Sequence, residues 1–247
     1  MSPSLPTPGA PPRGHTDLVL IRHGVTGWNR ERRFQGQTDI ELDEEGLAQA
    51  ALTGRRLAAW QVDAVYTSDL SRARQTAEPI AAVRGLPVRI EPRLRERHYG
   101  SFEGRTHEEL ERHQAEAWRR WRQREPDFVL PGGGESLRAF HARVAAALSE
   151  LARAHRGQTV VAVTHGGVLD IVYRIATGMP LEAPRGHDLL NASLNRIRWD
   201  GSAFSLVAWA DVAHLAAAPQ APLDEVGARR RPDPLESRVP RDTGATR

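Results

Sequence analysis

The chain lacks cysteine and lysine altogether, is poor in aromatic residues (6%), and has no long apolar run anywhere in its 247 residues. Each absence excludes something. Without Cys there are no disulfides and no thiolate metal sites, and the redox compartment stays open. Without a long apolar run no segment is built to span a membrane as a helix. The N-terminus also lacks an apolar signal-peptide core. These features make no membrane partner and a cytoplasmic location the expectation. Without Lys, every basic side chain is Arg, which titrates very high and lifts the pI to about 10.1 although the formal net charge is only +3. The pI is therefore poor evidence for nucleic acid, and no nucleic-acid partner is expected. What remains is a chain 40% hydrophobic, long enough to bury a sizeable core.

Proline marks the organisation: five of the 17 lie in residues 1–15 and five after Leu215. We read 1–15 as a disordered leader, 16–215 as one domain and 216–247 as a disordered Arg/Pro-rich tail.

Inside the domain, the stretch Leu18 to Asn29 organises the rest. Four apolar residues, Leu18 to Ile21, run into Arg22, His23 and Gly24. A short apolar run bounded by Gly reads as a buried strand, and the carboxyl end of such a strand is where an open sheet presents chemistry. A polar turn after a strand is ordinary, and three residues are a weak motif. A second strand ends the same way, however: Thr159 to Thr164 runs into His165-Gly166-Gly167. A core histidine would sit inside such a run, not after it.

The other elements follow from caps and periodicity. Asp43 caps a helix Glu44 to Trp60 that carries Leu47, Ala51, Leu52 and Leu57 on or near one face. Val62 to Thr67 is a strand feeding a helix capped by Ser68 or Asp69, with Arg72 in its first turn. A basic residue there opposes the helix dipole, which makes Arg72 either a solvated side chain or part of an anion site. Pro87 to Ile90 is a short strand. The loop after it holds Glu96 and Glu103 among glycines and aromatics, and either carboxyl is a salt-bridged loop residue or a general acid. A helix from His107 to Glu125 carries Trp118 and Trp121 with Arg119, Arg120, Arg122 and Arg124, reading as an amphipathic helix or as a basic lid. Another helix follows Glu135-Ser136 to about His155, and one more runs from Val168 to Thr177. Leu194 to Trp199 and Ala203 to Ala208 flank Asp200-Gly201, a hairpin signal. Strands alternating with helices predict an α/β fold, a mostly parallel central sheet flanked by helices in three layers.

If Arg22, His23, Arg72 and His165 converge at the strand ends, they form a cationic cup suited to a tetrahedral phosphoryl dianion. No carboxylate cluster has metal-ligand spacing, and there is no Walker loop and no GxGxxG. No metal is expected. Metal-free phosphoryl transfer remains, with a neutral His as nucleophile and Arg side chains on the equatorial oxygens. A protonated Glu would donate to the leaving oxygen and, as carboxylate, activate water.

These residues resemble the histidine phosphatase superfamily, also called phosphoglycerate mutase-like, over nearly all of 18–210. Arg22-His23-Gly24 with Thr26-Gly27-Trp28-Asn29 resembles its signature. Phe34 to Asp39, Ser68 to Ala77, Leu94-Arg95-Glu96 with Gly100 and Glu103-Gly104, and Thr164-His165-Gly166 resemble its later segments. The resemblance implies a phosphoglycerate mutase-like fold and a phosphohistidine intermediate on His23. It makes Glu96, over Glu103, the proton donor, and Arg22, Arg72 and His165 the phosphate ligands. Thr26, Asn29 and Gln35 line the substrate side, with Arg97 and Gly166 beside them.

Val25 departs from the family, many of whose members carry an acidic residue there, and is expected to tune substrate choice. The mutase's substrate-binding Lys is absent, with His107 standing about there, and Glu109 to Ser136 is shorter than in a mutase. The resemblance therefore implies a cofactor-free phosphomonoester hydrolase whose partner is a small phosphorylated metabolite. The alternatives are a mutase dependent on 2,3-bisphosphoglycerate, a specialist such as an α-ribazole phosphatase or sugar bisphosphatase, and a non-catalytic phosphate-binding protein. A homodimer is left open.

Overall fold

The computed structural model describes residues 9–216. Most of the expected leader (1–8) and the tail from 217 lie outside the described residues. Within residues 9–15, His15 N–H donates to Pro12 O, and its carbonyl accepts from Gly157.

Six strands form one sheet in the order β3-β2-β4-β1-β5-β6. They are β1 (Thr16–Arg22), β2 (Ala64–Thr67), β3 (Val88–Ile90), β4 (Thr159–Thr164), β5 (Leu194–Trp199) and β6 (Phe204–Asp211). β1, β2, β3 and β4 are mutually parallel, while β5 and β6 run antiparallel beside β1. The helices are α1 (Gly27–Arg30), α2 (Glu44–Leu57), α3 (Ser71–Arg84), α4 (His107–His113), α5 (Ala115–Arg122), α6 (Leu137–Ala154) and α7 (Gly166–Thr177).

Alternation along β1 generates the three layers. Leu18 and Leu20 face one way, into a core with Phe140, Val144 and Leu148 of α6 and Leu169 and Val172 of α7. Val19 and Ile21 face the other way, against Leu57 of α2 and Ala73, Ala77 and Ile80 of α3. A strand covered on both faces must be apolar throughout, which is why β1 and β4 read as continuous runs. No described helix is long and apolar enough to cross a membrane.

Three expectations need correction. Leu47 is half exposed, and the buried face of α2 is instead Gly46, Gln49, Ala50, Thr53, Gly54 and Leu57. Small residues allow this close packing: a Cβ on Gly54 would lie 2.9 Å from the carbonyl of Pro79 on α3. Neither Ser68 nor Asp69 caps α3. The N-cap is Leu70, with no side-chain cap bond, because Asp69 pairs with Arg95 and Ser68 bonds His165. The helix expected over 107–125 breaks at Gln114, whose ψ of 42° is non-helical and whose side chain hydrogen-bonds Ser101.

Candidate active site

The three parallel strands β1, β4 and β2 end side by side, and each delivers a polar residue at its carboxyl end. His23 follows β1, His165 follows β4 and Ser68 follows β2. The ladder sets them in register: His23 N–H donates to Thr164 O at 2.9 Å, and Ser68 N–H to Val163 O at 3.1 Å.

His23 is 3% exposed, and its Nδ1 lies 2.7 Å from the carbonyl oxygen of Gly24. A carbonyl can only accept, so Nδ1 carries the proton and Nε2 is the basic nitrogen. Burial holds the imidazole well below its usual pKa, and the charges of Arg72 and then Arg22 push the same way, against the Gly24 hydrogen bond. The ring is therefore neutral at pH 7, as a nucleophile must be. The peptide around it is held by Asn191 Nδ2, which donates to His23 O at 2.9 Å, and by Thr76 Oγ1, which accepts from Gly24 N–H at 3.1 Å.

His165 sits 5.3 Å away, ring to ring. Its Nε2 is 2.9 Å from Ser68 Oγ, which itself accepts from Leu70 N–H. A serine oxygen can accept twice, so this pair fits either tautomer; with the hydroxyl donating to Nε2, Nδ1 of His165 carries the proton. Nδ1 is buried with no hydrogen-bond partner among the described residues, so it is ready to meet an anion. Burial, followed by Arg72, His23 and Arg22, keeps this ring neutral too.

Arg22 and Arg72 are almost wholly buried, at 2% and 0% exposure. Backbone carbonyls hold them in place. Arg22 Nη1 donates to Leu189 O at 2.5 Å, while Arg72 donates to Gly36 O at 2.7 Å and Thr38 O at 3.0 Å. Arg72 thus opposes the α3 dipole because its head belongs to the cleft.

The two loop carboxyls separate cleanly. Glu96 is 4% exposed and lines the cleft, its oxygens accepting from Arg97 N–H at 2.7 Å and Gly167 N–H at 2.8 Å. Gly167 must be glycine for this: an added Cβ would lie 2.2 Å from Glu96 Oε1. Glu103 instead clamps a loop, accepting from Gln37, Thr38 and Tyr99 N–H groups.

Arg22, His23, Arg72 and Glu96 line the floor of an open cleft, while His165, wholly buried beside His23, is not among the lining residues. Asn29 and Gln35 line the cleft with them. Thr26 does not; it caps α1 and bonds the Asn29 side chain. Arg97 points away, its Nε and Nη2 donating to Glu135 O at 3.0 and 2.8 Å. Gly166 is the first residue of α7, and the neighbouring Gly167 lines the cleft in its stead. Val25 is wholly buried, its N–H on Gln49 Oε1, and is not among the lining residues. It has no contact through which to tune substrate choice.

Local sequence reading missed Asn191, Leu189 and Asp170, whose roles depend on contacts distant in the chain. It also missed Arg32, Tyr99 and Arg185, which line the outer cleft. The basic-lid reading of α5 reduces to one residue. Arg119 pairs with Glu116, Arg120 with Glu125, and Arg122 lies 6.0 Å from the Trp118 ring; only Arg124 reaches the cleft. Trp118 and Trp121 stack at 4.9 Å and pack on Phe34, fixing the outer wall. Among the described residues no group of three or more His, Asp or Glu side chains could hold a metal.

The family pattern described as Histidine phosphatase superfamily (branch 1) matches residues 18–212. The chain is 40% identical over 203 residues to a metal-independent phosphoserine phosphatase of Arabidopsis thaliana, covering 81% of this chain and 84% of that protein. It is 39% identical over 204 residues to phosphoglycerate mutase-like protein 4 of the same plant, covering 81% and 87%. Among solved structures, YhfR of Bacillus stearothermophilus superposes with a TM-score of 0.74 at 36% identity, over 81% of this chain and 99% of that one.

Proposed function

Since the chain belongs to the histidine phosphatase superfamily, we propose that it is a phosphomonoester hydrolase working through a phosphohistidine on His23, without a metal. The observation that carries this reading is the neutral His23, with Nδ1 tied to Gly24 O and Nε2 left to attack, set with Arg22, Arg72 and Glu96 in the cleft and with His165 behind the lining, 5.3 Å from His23 ring to ring.

The steps balance with these groups alone. Nε2 of His23 attacks phosphorus, and the bond to the ester oxygen breaks in line with it. The equatorial oxygens rest on the guanidinium groups of Arg22 and Arg72 and on Nδ1–H of His165. Glu96, protonated, gives its proton to the departing oxygen. The alcohol leaves and water takes its place. Glu96, now carboxylate, accepts a proton from that water as its oxygen attacks phosphorus. The P–N bond breaks, inorganic phosphate forms, and His23 returns neutral.

Substrate class is supported by charge. Six arginines line the cleft with two carboxylates, Glu96 and Asp170; Arg33 is paired with Glu31 and Glu109 and Arg124 with Asp170, which leaves, among the lining residues, Arg22, Arg32, Arg72 and Arg185 as the surplus over Glu96. That excess exceeds what one phosphoryl dianion needs, and it favours a small ester carrying a second anion such as a carboxylate. The phosphoserine named for one relative is of this kind. His107, where a mutase would carry Lys, lies against Trp118 and Trp121 and lines the cleft with an imidazole in place of an ammonium, which favours hydrolysis over the mutase alternative.

Product analysis tests the reading. Purified protein is given 3-phosphoglycerate with and without 2,3-bisphosphoglycerate, beside a panel of phosphomonoesters. Inorganic phosphate without 2-phosphoglycerate is expected. Rapid 2-phosphoglycerate formation that depends on the bisphosphate would make this a mutase.

A further inference from the structure

Asp170 lies on α7, one turn past His165, and is 6% exposed at the edge of the cleft. Three cationic or ionisable partners converge on it. Oδ2 accepts from Arg124 Nη2 at 2.6 Å and Arg174 Nε at 3.1 Å, and Oδ1 lies 3.1 Å from His187 Nε2. Burial alone would raise this carboxyl, yet His187, Arg124 and Arg174 outweigh it and hold the group well below the ordinary aspartate range. Its charge is consumed by these partners, so it is not a second acid in the cleft.

Each partner ties down a different piece of the outer wall. Arg124 follows α5 with φ of 55°, a left-handed backbone that a non-glycine residue holds only when its surroundings impose it. Its guanidinium is clasped by Asp170 and by Leu181 O at 2.8 Å. His187 stacks on Tyr173 at 3.8 Å. Arg174 donates to Pro180 O, and Trp209 Nε1 to Asp188 O. The segment from Pro180 to Asp188 is thereby tied to α7 and β6. Arg185, within that segment, lines the cleft with Arg124.

We infer that Asp170 is a positioning residue for substrate selection: it holds Arg124 so that the outer wall receives a second anionic group beyond the phosphate. This rests on the reading of the cleft as a phosphoester site. Asp170 touches no reacting atom. Its effect is to be seen in KM for esters that carry the second anion, while esters with a neutral alcohol part bypass it.

The test compares wild type, Asp170→Asn, Arg124→Met and the double variant on 3-phosphoglycerate and p-nitrophenyl phosphate. Asp170→Asn is expected to raise KM for 3-phosphoglycerate by about tenfold or more with kcat little changed, and to leave p-nitrophenyl phosphate nearly unaffected. Arg124→Met should reproduce that selectivity, and the double variant should be no worse than the worse single one. Equal losses on both esters, no loss at all, or fully additive losses would overturn the proposal. Should Asp170→Asn fail to fold, Arg124→Met carries the same comparison, since it leaves Arg174 and His187 on Asp170. To separate this from the catalytic reading, calorimetry on a His23→Ala protein compares 3-phosphoglycerate with inorganic phosphate. Adding Arg124→Met should weaken only the first, whether or not the wild type hydrolyses either ester. Weakening both equally, or neither, would contradict the assigned wall.

Discussion

The floor of the cleft and its outer wall are made differently. The floor sits at strand ends: His23, His165 and Ser68 are set by the sheet ladder, and Arg22 and Arg72 by backbone carbonyls, all nearly devoid of solvent contact. The wall is made of loops and the short helices α4 and α5, and is held by aromatic stacking and by ionic contacts such as Arg124 with Asp170. Two of its arginines, Arg32 and Arg124, have left-handed backbones, with φ of 57° and 55°. On the proposed function, bond-making falls to the part built on the sheet and substrate choice to the part that can vary without disturbing the sheet.

The largest effect that would test this division comes from the floor. His23→Ala should lower kcat by about four orders of magnitude while the far-UV circular dichroism stays unchanged. Normal turnover would remove the nucleophile from the account. Glu96→Gln should cost about 10²–10⁴-fold on an alkyl phosphate. The loss should be smaller on p-nitrophenyl phosphate, whose leaving group needs no proton; equal losses on both esters would argue against a proton donor.

The wall should answer differently. Arg32→Ala is expected to raise KM for 3-phosphoglycerate by about three- to tenfold with kcat preserved. A collapse of kcat would place Arg32 in the floor's chemistry.

The floor also carries a pH signature. His23 and His165 are held well below 6.5 by burial and by Arg72 and Arg22, so below pH 6.5 the unfolded chain binds protons that the folded one refuses. Stability should therefore fall as pH drops below 6.5, by up to about 1.4 kcal/mol per pH unit for each ring. Urea unfolding at pH 7.5, 6.0 and 5.0 reads this, and His23→Ala should flatten the slope. An unchanged slope in the variant would mean that His23 is not held neutral. The smallest effect is none: EDTA should leave activity within error, and a loss restored by a divalent cation would break the metal-free mechanism.

The same contrast governs what the amino-acid sequence reveals. β1 and β4 are buried on both faces, so their apolar runs announce themselves, and the polar residues that follow can only lie at strand ends. The fold and the placing of Arg22, His23 and His165 at strand ends follow from that local pattern; the gathering of Arg72 with them does not, since it rests on the Thr38 and Gly36 carbonyls, 34 and 36 positions away. The choice of Glu96 over Glu103 does not; it depends on Gly167, 71 positions away, offering its N–H. Asn191 on the His23 carbonyl and Leu189 on Arg22 are likewise contacts across about 167 positions, with no local signature. The misread cap of α3 has the same cause: Ser68 looks like a cap until His165 is folded onto it.

The most direct test of the central claim is to trap the covalent intermediate. The Glu96→Gln protein, mixed with a phosphomonoester and quenched in base, should carry one acid-labile phosphoryl group, located by mass spectrometry on His23. A phosphoryl group on another residue, or turnover with none detectable on His23 at any quench time, would contradict the mechanism.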